Sequence, residues 1–219
     1  MQRLINRISH KIAVSNDLDE EKEKVIAYGM TALWQMIIIF FLAFSVGFIT
    51  HTIAECLFIY MTVGFLRKFT GGAHAKSMFG CILVSISSIA VMAVLSRYVM
   101  AWYIPYNASG IIICIAFGLS FFIVYKKAPV DSVNKPIKNP EKIKKLRKNS
   151  RNFVAFSFII TIVIFMLYLN YNYIWLISIS YSIAFAVFWQ SLTLTKGFRA
   201  ISDYCVSVHN KIFEYRKED

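Results

Sequence analysis

The stretch NFVAFSFIITIVIFMLYLNYNYIWLISISYSIAFAVFWQSLTLT, Asn152–Thr195, holds no Asp, Glu, Lys, Arg or His over 44 residues. A spanning helix needs about 20 predominantly apolar residues. The stretch is too long for one span, and Asn170-Tyr171-Asn172-Tyr173 interrupts it. It reads as a helical hairpin in a membrane. Its apolar residues run continuously and do not alternate, which argues against the strands of a membrane barrel.

Toward the amino terminus the pattern recurs. Val25 to Thr50 carries no charged or histidine side chain, and His51 to Leu66 carries only His51 and Glu55. Ser77 to Ser96 is uncharged, as is Tyr98 to Tyr125, broken near Pro105 and Asn107. Six spans are expected, at about 26–49, 51–66, 79–96, 108–125, 153–169 and 173–194, the second being short. The first run is no signal peptide: it follows 24 mixed, charged residues, is too long for an h-region and lacks a small-residue cleavage pattern. The expected fold class is an all-α membrane protein with six transmembrane helices, amphipathic N- and C-terminal segments and both termini cytoplasmic. Residues 1–219 then form one integral membrane domain. It comprises an N-terminal segment (1–24), a six-helix core (25–195) with cytoplasmic loops 67–78 and 126–151, and a cytoplasmic tail (196–219).

Composition supports this class. The 219 residues are 58% apolar and 16% charged, with a net charge of +12. Soluble domains run nearer 45–50% apolar and about 25% charged. Disorder, a disulfide-rich module, a plain soluble enzyme and a nucleic-acid binder are excluded. Positive charge marks the cytoplasmic side of spans. Of 24 Lys and Arg, 23 fall in the N-terminal segment, the 67–78 loop, the 126–151 loop and the tail, and one, Arg97, falls in the other compartment. The ends look interfacial. Leu4, Ile5, Ile8 and Ile12 recur at helical spacing beside Arg3, Arg7 and Lys11, and Ile201, Tyr204, Val208 and Ile212 do likewise. Such helices lie on anionic leaflets and contact membrane lipids.

One segment carries chemistry. Arg67-Lys68-Phe69-Thr70-Gly71-Gly72-Ala73-His74-Ala75-Lys76-Ser77-Met78-Phe79-Gly80-Cys81 places three cations, a glycine pair, a histidine and a cysteine at the cytoplasmic mouth of spans two and three. A Cys–His pair is the minimum for thiolate catalysis, the imidazole taking the thiol proton and later protonating the leaving group. On one continuous helix, His74 and Cys81 would stand about 10 Å apart along the axis, beyond hydrogen-bond reach. His74 must therefore lie outside the helix and fold back over its first turn, using the backbone freedom of Gly71-Gly72. Alternatively, the pair forms between subunits. The helix amino terminus and Arg67, Lys68 and Lys76 favour a thiolate at Cys81.

Ser77, Cys81, Ser85 and Ser88 form one small polar stripe, from which Ser77 or Ser85 could orient His74 or hold an oxyanion. The plainer reading is small-residue helix packing. Cys56 and Cys114 lie inside spans as small apolar residues. Cys205 and His209 are four apart but have no further ligands, and there is no C-x-x-C, so no metal is expected. Glu55 is the sole carboxylate inside a span, and pairing with His51 or a neighbouring helix accounts for it better than catalysis. Loop 126–151 holds ten cations, fitting a topology determinant on anionic lipid or a dock for an acidic peptide.

At these residues the chain resembles the accessory gene regulator B (AgrB) family, integral membrane cysteine endopeptidases of Gram-positive quorum sensing. The carrying motif is Arg67-x-x-x-Gly71-Gly72-x-His74-Ala75-x-Ser77-x-x-x-Cys81. Ala128-Pro129-Val130-Asp131 followed by Asn134-Lys135-Pro136 is a second match. The resemblance implies Cys81 as nucleophile and His74 as base. It implies an AgrD-like propeptide substrate, cleaved through an acyl-enzyme thioester and cyclised to a thiolactone or lactone. It also implies a homodimer, with no cofactor. Arg67, Gly71, Gly72 and Lys135, with Ser77 and Ser85, are candidate substrate-binding or site-supporting residues. The competing reading is a non-catalytic membrane transporter or peptide-binding factor.

Overall fold

The apolar runs fold into helices, and the residues at their ends explain where each starts and stops. The computed structural model describes residues 2–16, 18–72, 78–130, 139–195 and 197–198. Helix α1 (Gln2–Ser15) buries Ile5, Ser9 and Ala13, one residue per turn, and packs on the next helix. Leu4 and Ile12 stay exposed beside that stripe. Helix α2 (Glu20–Ile49) is capped by the Asp19 carboxylate, which accepts from the Lys22 N–H at 2.9 Å. Glu20, Glu21 and Glu23 place negative charge at its positive end.

A tight turn at Thr50–Thr52 leads into α3 (Ile53–Thr70). The turn needs Gly47, because a Cβ there would lie 2.8 Å from the Ile53 Cα. Helix α4 (Met78–Val94) continues through a π-helical turn, Leu95–Met100, and one α-turn, Ala101–Tyr103. Pro105 then interrupts it and opens α5 (Tyr106–Lys127), its carbonyl accepting from the Ser109 N–H at 3.0 Å. Asn139 caps α6 (Pro140–Tyr171) by accepting from the N–H groups of Glu141 and Lys142, with Pro140 at the first helical position. The second half of the basic connection 126–151 is therefore the first three turns of α6. Lys and Arg are good helix formers, and the cap supplies the start signal. Asn172, with left-handed φ of 53°, ends α6, and α7 (Ile174–Leu192) returns. The expected hairpin is thus α6 and α7.

Helix α7 runs through the middle. Thirteen of its 19 residues are buried, while α2 buries only Ala43 and Gly47. On one side of α7 the core joins Leu66, Ile113, Phe117, Val124, Val154 and Phe165 to Ile177, Tyr181 and Val187. On the other, Ala43, Cys56, Ile59, Ile89, Met92 and Ala93 pack on Ala186. Three α7 serine hydroxyls are satisfied within the helix: Ser180, Ser182 and Ser191 donate to the carbonyls of Leu176, Ser178 and Val187. Around the outside, apolar side chains such as Phe41, Phe48, Phe58, Ile111, Ile159 and Val163 point away from the bundle.

Among the described residues, five helices are long and apolar enough to cross a membrane: α2, α4 with its continuation (Phe79–Tyr103), α5, α6 and α7. The chain is accordingly a multi-pass membrane protein. Helix α3, the expected second span, is not among the five, because it carries Glu55, Arg67 and Lys68 in 18 residues. It nonetheless lies alongside α7. Near its start the Glu55 carboxylate accepts from the Ser178 hydroxyl at 2.7 Å, and at its end Thr70 and Gly71 accept from Gln190. The two helices therefore run in the same direction, in contact over about 20 Å at 1.5 Å per residue.

Aromatic side chains ring one end of the bundle. Tyr98, Trp102, Tyr103, Tyr106, Tyr171, Tyr173 and Trp175 are all exposed there. This is the composition of a membrane–water boundary. The opposite end carries Arg67, Lys68, Lys126, Lys127 and the basic first turns of α6.

Candidate functional site

Cys81 is the fourth residue of α4, in its first turn at the basic end of the bundle. It is a free thiol and buried, with 8% exposure. The expected place, near the start of the third apolar run, is where it lies. Ser85 follows one turn later, partly buried, and Ser88 donates to the Val84 carbonyl at 2.6 Å. His74 and Ser77 fall within 73–77, and Lys135 falls within 131–138; all three lie outside the described residues, as do Lys76, Cys205 and His209.

The approach to this site is built in detail. Helix α3 ends at Thr70 and the chain turns at Gly71, with φ 68° and ψ −145°, then Gly72, with φ 143°. Both are conformations that side chains oppose. The Gly71 N–H donates to the Arg67 carbonyl at 2.9 Å, and the Val130 N–H donates to the Thr70 carbonyl at 2.8 Å. Gly71 and Val130 form an isolated parallel bridge, so close that a Cβ on Gly71 would land on the Val130 carbonyl oxygen. A Cβ on Gly72 would come to 3.0 Å from Thr193 Oγ1 and 3.3 Å from Gln190 Nε2. The glycines do more than loosen the backbone: they allow two distant segments to close on it.

Gln190 holds the other side. Its Nε2 donates to the Gly71 carbonyl at 2.9 Å and to Thr70 Oγ1 at 3.1 Å. Thr70 in turn donates to the Leu66 carbonyl, and Thr193 donates to the Gln190 carbonyl. The last carbonyls of a helix have no partner within it. Here Val130 and Gln190 supply partners from elsewhere in the chain. Arg147 extends the contact by donating from Nε to the Ala128 carbonyl at 3.3 Å. Thus both matched segments, 67–72 and 128–130, meet at the end where Cys81 lies. Gln190, Thr193 and Thr70 are the residues that sequence reasoning did not single out. Gln190 could have been found, since it is the one Asn or Gln in the otherwise carboxamide-free run 173–195.

Cations dominate this end. Lys126 lies 4.3 Å above the Phe122 ring, and Arg151 lies 5.5 Å from the Tyr125 ring. Arg67 and Lys68 occupy the last turn of α3, where they face its negative pole.

Glu55 belongs to the far end. Buried to 2%, it pairs with Arg97 Nη1 at 3.3 Å as well as with Ser178. Of the two expected partners, it is the neighbouring helix that takes the carboxylate, while His51 sits exposed in the α2–α3 turn. Arg97 lies sixteen residues beyond Cys81 on one continuous helix, about 24 Å along its axis. Glu55 is therefore outside the Cys81 site. Cys56 is buried, whereas Cys114 is exposed on α5. No group of three or more His, Cys, Asp or Glu that could hold a metal occurs among the described residues.

Known proteins are similar to this chain in sequence. An AgrB-like protein of Clostridium perfringens strain SM101 is 32% identical over 195 residues, covering 89% of this chain and 91% of that protein. A second, from C. perfringens strain 13, is 30% identical over the same shares. An AgrB-like protein of Halalkalibacterium halodurans is 27% identical over 131 residues, 59% of this chain and 60% of its own. No solved structure matches. The family model described as Accessory gene regulator B matches residues 2–194, which span every described helix, and the chain belongs to that family.

Proposed function

We propose that this protein is a membrane cysteine endopeptidase that processes an AgrD-like quorum-sensing propeptide. Family membership supports a role in propeptide processing. The observation that carries the finer reading is Cys81: a free thiol in the first turn of α4, at the same basic end of the bundle as a turn clamped by two remote segments. His74 follows Gly72 by two residues in sequence and is the base in this reading.

The chemistry is acyl transfer. His74 takes the Cys81 thiol proton, and the thiolate adds to the carbonyl carbon of the scissile peptide bond. The C–N bond then breaks, the imidazolium protonates the departing amine, and the propeptide's carboxyl-terminal tail, which the family resemblance implies is acidic, leaves. The peptide stays on Cys81 as a thioester. A thiol or hydroxyl within the peptide attacks that carbonyl, closes a thiolactone or lactone and releases Cys81. Exchange between thioesters is nearly balanced, so neither metal nor nucleotide is required. The cations at this end suit an acidic tail. Arg67, Gly71 and Gly72 shape the approach, Lys135 adds positive charge, and Ser77 and Ser85, four residues before and after Cys81 in sequence, are the supporting hydroxyls.

In this reading the chain crosses the membrane six times, with α3 as the second span. Its parallel contact with α7 supports this, because two parallel neighbours cross together. An even number of spans leaves both termini on the cytoplasmic side with Cys81, and a homodimer in the cell membrane completes the assembly. The test is reconstitution in lipid nanodiscs with the propeptide, read by mass spectrometry. Wild-type protein should release the tail and accumulate a peptidyl thioester on Cys81. Cleavage by purified Cys81→Ala would overturn the proposal.

A further inference from the structure

The structure assigns Gln190 a role as a positioning residue: its side-chain amide locks the Gly71-Gly72 turn and so sets where the chain leaves α3 toward the Cys81 site. The inference rests on the reading of Cys81 and His74 as the reacting pair and adds a residue from the last helix to that machinery.

Three observations carry it. First, Gln190 is only 1% exposed in the last turn of the uncharged central helix, where an amide is costly unless paired. Second, its Nε2 bonds go to the turn: to the Gly71 carbonyl at 2.9 Å and Thr70 Oγ1 at 3.1 Å. A carbonyl can only accept, so the nitrogen must face it. Third, the missing side chain of Gly72 is the space that Gln190 and Thr193 fill. Val130 grips the same turn from the opposite side through the Thr70 carbonyl.

An ordinary helix end needs none of this. A C-terminal glycine commonly closes a helix through local bonds alone. Here the turn is fixed by groups from α7 and from the segment after α5. Chain geometry makes the consequence catalytic. Gly72 is the last described residue before the segment that carries His74, two residues on in sequence and so within about 7 Å of chain, and the direction in which the clamp sets Gly72 bears on the base. Misplacement of a reacting group by about 1 Å can cost on the order of 100-fold in rate.

The experiment compares wild-type protein, Gln190→Leu, Gln190→Met and Ser191→Ala in nanodiscs with the AgrD-like propeptide. Ser191 is the adjacent buried residue, and its hydroxyl bonds only to its own helix at Val187. Both Gln190 variants should lower kcat about 10- to 100-fold with little change in KM. Hydrogen exchange at the Gly71 and Val130 amides should speed up in both. Ser191→Ala should keep wild-type kcat and exchange, whatever its unfolding temperature. Unchanged exchange in both Gln190 variants would overturn the clamp. Wild-type kcat despite faster exchange would overturn the positioning role. An equal loss in Ser191→Ala would reduce Gln190 to packing and overturn the inference. Wild-type protein that cleaves no propeptide would instead overturn the functional reading, and exchange would still decide the clamp.

Discussion

Replacing Gly71 with Ala should damage the site without dissolving the bundle. Two costs follow from the geometry. Gly71 holds φ 68° and ψ −145°, a conformation that costs a residue with a Cβ about 1–3 kcal/mol. The new Cβ also meets the Val130 carbonyl oxygen, a backbone atom that cannot rotate aside. Val130 must move, and its N–H bond to the Thr70 carbonyl is lost, about 1 kcal/mol more. The sum is about 2–4 kcal/mol, charged to one turn at the surface of the bundle. Neither core cluster includes Gly71, so the turn relaxes while the helices persist. Propeptide cleavage in nanodiscs should fall at least tenfold, exchange at the Val130 amide should rise, and the unfolding transition of the helices should shift little. Gly64→Ala is the internal control. Gly64 lies within α3 with no atom within 4 Å of a built Cβ. Alanine there should be neutral or stabilising by up to about 1 kcal/mol. If Gly71→Ala and Gly64→Ala behave alike, the steric account of the turn is refuted.

Other outcomes follow from separate features. Arg97→Ala leaves the Glu55 carboxylate buried with Ser178 alone; it should destabilise the protein, though by less than the 3–5 kcal/mol of breaking a fully buried pair, since Arg97 is 32% exposed. Thermal unfolding should show the double variant Glu55→Leu/Arg97→Met to be more stable than Arg97→Ala. Asn139→Ala removes the cap of α6 and should cost about 1 kcal/mol, read as faster exchange over residues 140–146 with α7 unaffected. Cys114 is exposed on α5, so Cys114→Ala should retain cleavage activity while removing labelling of that helix by a lipid-soluble maleimide, read by mass spectrometry. In whole cells, a cysteine at Tyr173 should react with an impermeant reagent and one at Lys142 should not; the reverse pattern would invert the proposed orientation.

Charge and hydropathy are local properties, and what depends on them alone was legible. The α6–α7 hairpin is visible in a 44-residue gap in charge, and the split of cations reappears as one basic end and one aromatic end. Cys81 could be placed near a helix start because the apolar run begins just before it. Helix α3 was harder, since Glu55 and two terminal cations dilute 18 residues that packing then fixes against α7. The partner of Glu55 could be narrowed to His51 or a neighbouring helix but not chosen, because choosing Arg97 requires knowing that the far end of α4 returns beside the start of α3. The π turn left no local signature. The grip on Gly71 was illegible for the same reason: Val130 and Gln190 come from remote segments. The glycine pair read as freedom because sequence reports a missing side chain and not what occupies its place.

The clamp also bears on biogenesis. Helices enter the membrane in the order of synthesis, and the turn after α3 waits for Val130, which follows α5, and for Gln190, in α7. Glu55 likewise enters before Arg97 or Ser178 exists to meet it. A nascent or truncated chain therefore lacks the finished clamp, and the turn closes only once α7 has arrived. On the proposed function, a chain cut short before α7 carries Cys81 without a fixed path leading to it.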